Sequence, residues 1–427
     1  MFRVESIHIS GFWGKYEVGT PLHEDVNIFI GQNGSGKTTF MNILHAVLSV
    51  DPEGLSENDF TEVLVRLTDG DKRRTVKAIK VEAGVDGPFP TINYSISRNK
   101  YVMVLPGSDD MRPTPWRRRA LEQANAIRSV LSESILLSSL SVYRFRMDPD
   151  ADLRERGRTA MSPVDARLQY LQNQLTQYQF ELSDEARKIS SALQKKVLMS
   201  LLYAQEDENA TDTLSAGDNI ERERARLVHA YKQLGLSGSD VSARIQKHAS
   251  AVSDAVKLLK AGQNAPAEVL DTQIRLNKIV EMSLDAEQRV KQVFAQVTLF
   301  LNLLSDFVTN KIFAFENGEL VAHGFPDEAS RKAGRKGNPI HISKLSSGEK
   351  QLLILLVEAL LQKQNPYVYL ADEPELSLHI TWQQLIIAAI RRLNPNSQII
   401  VATHSPEIAG RFQDKLIDME DILNGQA

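Results

Sequence analysis

The sequence predicts an α/β fold in which both ends of the chain build a mixed sheet and an antiparallel β-layer, with a helical or short coiled-coil arm inserted between them. Three observations lead there. Apolar or period-two runs crowd residues 2–97 and return over residues 311–403, as half-buried and buried strands do. In the long middle stretch, apolar residues recur every third or fourth position instead, the spacing of an amphipathic helix. One strand near the start, Val26–Ile30, runs directly into a glycine-rich loop and a helical pattern. The division that follows is 1–110 for the first part of this α/β unit, 111–310 for the inserted arm and 311–427 for the second part of the unit.

Taken in order, residues 2–12 alternate apolar with polar and read as a strand with one covered face. Residues 14–25 read as turn-rich, Val26–Ile30 as a buried strand, and residues 38–47 as a helix. Segments 61–68, 75–82 and 91–97 are short and period-two, separated by Gly-Asp-Lys-Arg and Gly-Pro turns, and predict the antiparallel layer. The prolines of residues 109–119 predict a loop. From Ser162 a helical stripe runs through Leu168, Leu171, Leu175, Tyr178, Leu182, Ala186, Ile189 and Leu193, and a second long helix is expected from about residue 267 to 308. Residues 205–265 are polar with scattered helical spacing. A hairpin is predicted where Asn317-Gly318 separates 311–315 from 319–322, and residues 325–339 read as a charged, glycine-rich loop.

Composition narrows the class. The 427 residues are 42% apolar and 24% charged, with a formal net charge of -4 and a pI near 6.2. That balance is globular and argues against coating nucleic acid by bulk charge. The absence of cysteine excludes disulfides, thiol catalysis and cysteine-based metal centres. Neither a leader pattern nor a run of about 18 apolar residues is found, so a cytoplasmic protein without membrane association is expected.

The chemistry concentrates in four stretches. Gly31-Gln32-Asn33-Gly34-Ser35-Gly36-Lys37-Thr38 matches G-x-x-x-x-G-K-[ST] without mismatch. Its glycines let successive N–H groups converge on a phosphate, with a helix N-terminus behind them. Lys37 would meet the β- and γ-phosphates of a triphosphate, Thr38 would ligate Mg²⁺, and Thr39 completes the nucleotide-binding set. The second stretch, an apolar strand over residues 366–371, delivers Asp372-Glu373-Pro374-Glu375. Asp372 is placed to hold Mg²⁺ through water and Glu373 to act as general base on an attacking water. The third is another apolar strand, 398–403, which ends in His404-Ser405-Pro406, an imidazole within reach of a γ-phosphate. In the fourth, Leu345-Ser346-Ser347-Gly348-Glu349-Lys350 precedes an apolar helix, and a serine there either simply caps the helix or helps form a second anion site.

In that order, the phosphate loop, Leu-Ser-Ser-Gly-Glu, Val-Tyr-Leu-Ala-Asp-Glu-Pro-Glu and Val-Ala-Thr-His-Ser-Pro resemble the ABC-type ATPases. The branch is that of the RecF, SMC and OLD-like proteins, which includes small bacterial ATPases often found in anti-phage defence systems. The resemblance implies two heads sandwiching two ATP molecules, with Ser346, Ser347, Gly348 and Glu349 acting in trans as the signature segment. It also implies Mg²⁺ at Thr38 and Asp372, water activation by Glu373, γ-phosphate sensing by His404, and a loop at Leu376-Ser377-Leu378-His379 that crosses the dimer interface. The family's Mg²⁺-contacting glutamine has no clear counterpart, and Gln123 stands in an unsuitable context. The function expected is an ATPase that forms a homodimer or a higher even-numbered oligomer and regulates a separate effector, a nuclease or toxin. An alternative is a DNA-repair ATPase of RecF or SMC type. It is motivated by Arg112, Arg117, Arg118 and Arg119 around Trp116, and by Arg144, Arg146, Arg154, Arg156 and Arg158. A transporter subunit fits the long insertion poorly, and Asn277-Lys278-Ile279-Val280 lacks the Asp that would read guanine. If nucleic acid is destroyed, another chain is expected to do it.

Overall fold

The computed structural model describes residues 1–83, 89–105, 115–140, 162–200, 220–233, 238–264, 266–325 and 337–423. They fall into two compact units, one formed by residues 1–176 with 299–427 and the other by residues 177–298. In chain order the first stretch comprises β1 (Arg3–Phe12), β2 (Tyr16–Pro21), β3 (Val26–Ile30), α1 (Lys37–Ser49), α2 (Pro52–Glu57), β4 (Glu62–Thr68), β5 (Arg73–Val81), β6 (Thr91–Ile96), β7 (Asn99–Val104), α3 (Pro115–Ser132) and β8 (Leu136–Leu140). Helices α4 (Pro163–Ser200), α5 (Ile220–Gln233), α6 (Ser239–Lys260), α7 (Ala267–Val293) and α8 (Ala295–Phe307) follow. The chain then returns to β9 (Lys311–Glu316), β10 (Glu319–Gly324), β11 (Pro339–Ile340), α9 (Ser347–Leu361), β12 (Tyr367–Asp372), α10 (Ile380–Leu393), β13 (Gln398–Ala402), β14 (Leu416–Asp418) and α11 (Met419–Leu423).

A five-stranded sheet in the order β14-β3-β13-β12-β8 is parallel throughout. Parallel sheets are covered on both faces, and β3 and β13 are accordingly buried along nearly their whole length. The register sets Phe29 opposite Ala402 and Ala402 opposite Asp372, so the carboxyl ends of three strands finish on one row. Whatever follows them in sequence must emerge at the same sheet edge, where open α/β sheets hold their ligands.

The antiparallel layer is a six-stranded sheet, β2-β1-β4-β5-β6-β7. Its inward residues Ile7, Ile9, Val63, Val65, Val76, Ala78, Ile92 and Tyr94 join Phe40, Ile43, Leu44 and Val47 of α1 in one buried core. Each fully buried aliphatic or aromatic side chain there stabilises the fold by about 1.5–3 kcal/mol. Phe29 and Phe40 stack with ring centroids 4.7 Å apart, fixing α1 against the strand that precedes its loop. A three-stranded sheet, β11-β10-β9, contains the hairpin expected at Asn317-Gly318.

Several sequence expectations need correction. Residues 16–21 are not turn but β2, because Val18 and Thr20 alternate inward against β1. The loop expected over 109–119 gives way at Pro115 to α3, proline being favourable at a first helical position; residues 109–114 lie outside the described ones. The long helix ending near residue 308 is interrupted at Phe294, separating α7 from α8. The polar stretch 205–265 contains α5 and α6. Within 111–310, assigned above to the arm, β8 pairs with β12 in the parallel sheet.

In the second unit, Leu227 and Ala230 of α5, Ile245 of α6 and Val280 of α7 form a small core of their own. His229 meets Glu287 at 2.6 Å, and His248 meets Gln273 at 2.9 Å. Among the described residues no helix is long and apolar enough to cross a membrane.

One contact fastens the helix behind the phosphate loop. Arg128 of α3 donates from Nε to the Ser49 carbonyl at 2.8 Å and from Nη2 to the Val50 carbonyl at 2.9 Å, satisfying acceptors that a helix end leaves open. Arg128→Met is expected to lower stability by about 1.5–3 kcal/mol, read as a shift in the urea midpoint; an unchanged midpoint would show the contact to be idle.

Candidate nucleotide-binding site

The site begins where β3 ends. Gly31, Gly34 and Gly36 all have positive φ, and Gly36, the residue before α1, sits at 93°. A Cβ on Gly36 would stand about 3.0 Å from the ring of Phe12, so both the conformation and the space call for glycine. Gln32, Asn33 and Gly34 are exposed, whereas Ser35 and Lys37 are buried. The Lys37 ammonium folds back to donate to the carbonyls of Gly31 at 2.8 Å and Gln32 at 2.9 Å, and to Ser35 Oγ at 3.4 Å. Burial pushes its pKa down, against the opposing pull of Glu373, Asp372, Asp418 and Glu420. Thr39, one residue past the loop motif, accepts a hydrogen bond from the Trp13 indole at 3.3 Å.

The strand register brings the second half of the chain to this loop. Thr38 Oγ1 donates to Asp372 Oδ1 at 3.4 Å across 334 residues. A hydroxyl and a carboxylate oxygen side by side are the hard donors that Mg²⁺ takes, so these two residues fit that ion. Glu373 follows at φ 49°, in the left-handed region, with its N–H on the Ala402 carbonyl at 2.8 Å. Non-glycine residues held there carry strain of about 1–3 kcal/mol, and such positions cluster at functional sites. His404, two residues past the end of β13, brings Nε2 to 3.3 Å from Glu373 Oε1.

Glu375 is the residue whose part the sequence did not reveal. It is buried, its Oε1 accepts from the Thr403 hydroxyl and from the His404 N–H, the latter at 3.2 Å, and among the described residues nothing bonds Oε2. Burial pushes its carboxyl pKa up, only partly offset by the bonds from Thr403 and the backbone N–H groups. The signal was the third acid of Asp-Glu-Pro-Glu, but its partner lies 28 residues away.

The signature segment opens α9. Ser346 is the cap, its hydroxyl accepting from the Glu349 N–H at 3.3 Å while the Glu349 carboxylate accepts from the Ser346 N–H at 3.0 Å, a complete capping box. Glu349 also pairs with Lys311 at 2.5 Å. Burial raises its pKa, but Lys311 and Ser346 more than reverse that, and the carboxyl titrates below the ordinary range. Glu349, one of the four residues assigned to the signature, is thus buried and engaged within its own chain, where it shapes the helix start. Ser346 and Ser347 are exposed. A Cβ on Gly348 would stand 2.5 Å from the Ser377 carbonyl oxygen, so the helix start packs directly on the loop at residues 376–379.

A family model of the AAA ATPase domain matches residues 149–409, more than half of the chain. The chain belongs to the AAA ATPase domain family. The matched part of this ATPase domain contains the signature, the Asp372-Glu373 pair and His404, while the phosphate loop precedes it. A probable ATPase of retron Vc95 from Vibrio cholerae is 39% identical over 83 residues, 17% of this chain and 16% of the relative. A probable ATPase of retron Ec83 from Escherichia coli is 35% identical over 98 residues, 20% of this chain and 18% of the relative. The chain therefore spans less than a fifth of the length of these relatives. Among solved structures, the SMC head domain of Pyrococcus furiosus, with an extended coiled coil and bound to the C-terminal domain of ScpA, is 16% identical at a TM-score of 0.45, covering 99% of this chain and 95% of that one.

Other sequence candidates are placed elsewhere. Gln123 of α3 accepts from the Val104 N–H at 3.1 Å and so fastens the edge of the antiparallel layer. Arg117 is paired with Glu53, and Arg118 with Glu122 at 3.3 Å. Arg112, Arg144, Arg146, Arg154, Arg156, Arg158 and the Trp116 side chain lie outside the described residues.

Because the folded pKa of Glu375 lies above its ordinary value of 4.5, its contribution to stability is full below that value and is lost as pH rises through the folded pKa. The stability of Glu375→Gln relative to the unaltered chain is therefore expected to improve from about pH 4.5 to 8. Urea midpoints of the two proteins across that range measure it, and a falling difference would contradict the shift.

Proposed function

We propose that this ATPase domain binds ATP with Mg²⁺, hydrolyses it, pairs head to head with a second copy around the nucleotide, and thereby regulates a separate effector protein, a nuclease or toxin, in anti-phage defence. The observation that carries the reading is the meeting of Thr38 with Asp372, beside Glu373 and His404, at one edge of the parallel sheet.

The loop N–H groups would receive the phosphates, and Lys37 would exchange its bonds to the Gly31 and Gln32 carbonyls for oxygens of the β- and γ-phosphates. Thr38 and Asp372 would hold Mg²⁺, which neutralises charge on the phosphate oxygens. Glu373 takes the proton of the attacking water as its oxygen bonds to the γ-phosphorus; the bond to the bridging oxygen breaks and ADP leaves with the electron pair. His404, now against Glu373, is within reach to donate to the γ-phosphate.

Pairing is supported by the shape of the signature segment. Its helix start is locked by a capping box that leaves Ser347 exposed at an anion-attracting terminus. A second molecule's triphosphate is a ligand that suits such a terminus. An effector role rests on the resemblance of the motifs to ATPases of defence systems and on partial relatives that are named as retron ATPases. Acting directly on DNA is less well supported, since Arg117 and Arg118 already have carboxylate partners.

Lys37→Ala is expected to abolish nucleotide binding. Glu373→Gln is expected to retain it, to lose hydrolysis by about 10²–10⁴-fold, and to accumulate as an ATP-dependent dimer seen by light scattering. A Glu373→Gln protein that stays monomeric in saturating ATP would refute the sandwich, and the protein that co-purifies with it would identify the effector.

A further inference from the structure

The first turn of α10 touches both halves of the proposed site. Gln383 accepts from the Ser405 hydroxyl at 2.7 Å through Oε1 and donates to the Leu378 carbonyl at 3.0 Å through Nε2. Ser405 is the neighbour of His404, and its N–H is bound to Thr403 Oγ1 at 2.9 Å. Leu378 belongs to the loop whose Ser377 carbonyl lies against Gly348. Beside Gln383 in sequence, the Trp382 ring is 3.8 Å from the position a Gly348 Cβ would take. Adjacent residues of one helix thus bond the histidine segment on one side and stand close to the signature start on the other.

We propose that Gln383 is a positioning residue that couples the two: the arrangement of His404 on a head's own nucleotide sets, through Ser405, Gln383 and Leu378, the arrangement of Gly348 offered to the nucleotide of the other head. The inference rests on the paired-head reading above. The amide serves both bonds, accepting from a hydroxyl at one end and donating to a carbonyl at the other, which a carboxylate at this position could not do. Hydrogen bonds link Ser405, Gln383 and Leu378, and the close packing of the Ser377 carbonyl on Gly348 completes the path.

The test uses full-length chains carrying Glu373→Gln, with Gln383→Leu, Ser405→Ala, or both added. Binding of a fluorescent ATP analogue to each is expected to stay within about threefold of the parent, since neither residue touches the phosphate loop. The protein concentration at which ATP drives half of the chains into dimers is expected to rise about tenfold for either single change. Combining them should add little, because both remove the same connection. Dimerisation unaffected by Gln383→Leu and Ser405→Ala, or losses that add in full, would overturn the coupling. A parent that never dimerises would overturn the paired-head reading and this inference together. Ser405→Ala deletes a single oxygen, so the coupling is tested even if Gln383→Leu fails to fold.

Discussion

Parallel pairing of β3, β13 and β12 in a single register is the constraint on which the rest depends. The strands come from opposite ends of the chain, and nothing local in sequence holds them together. Their backbone ladder aligns Phe29, Ala402 and Asp372, and the bonds Thr403 N–H to Phe29 and Glu373 N–H to Ala402 extend that alignment one residue past the sheet. A slip of one residue would turn every buried side chain to the opposite face. It would also carry Asp372 away from Thr38. The meeting of Thr38 with Asp372 therefore depends on strand register as much as on side chains.

Electrostatics around this edge are arranged with the charges held close. Lys37 is surrounded by carbonyls and within the field of several acids, so an ammonium waits where a polyphosphate would arrive. At the signature, an acid beside an anion site would be repulsive if free; the capping box and Lys311 occupy the Glu349 carboxylate. α9 is further tied to α4 through Lys350 with Asp165 at 2.7 Å and Glu358 with Arg167.

What the sequence revealed and what it hid follow from the range of the interactions. The phosphate loop, Asp372-Glu373 and His404 are legible because their chemistry demands particular residue types within a few positions. The hairpin at Asn317-Gly318 is legible for the same reason. β2 was obscured by Gly19 and Pro21, which look like turn residues until the partner strand is known, and β8 by two serines in a five-residue strand. The interruption at Phe294 carries no proline or glycine to announce it. Helices α5 and α6 are amphipathic but lie in a polar, charged stretch whose helical spacing reads as scattered. Glu375 and Gln383 act on residues 28 and 22 positions away, and single-sequence periodicity has no access to such separations.

The backbone at Glu373 sets reach against relaxation. Asparagine and glycine enter the left-handed region more readily than a longer side chain does. Asparagine there would end one methylene short and without a basic oxygen, and glycine would have no side chain at all. A head assembled for rest instead of turnover could adopt either and become firmer for it. With Glu373 as the proposed base, a glutamate kept at φ 49° implies that some inactive forms of this head would be more stable than the active one.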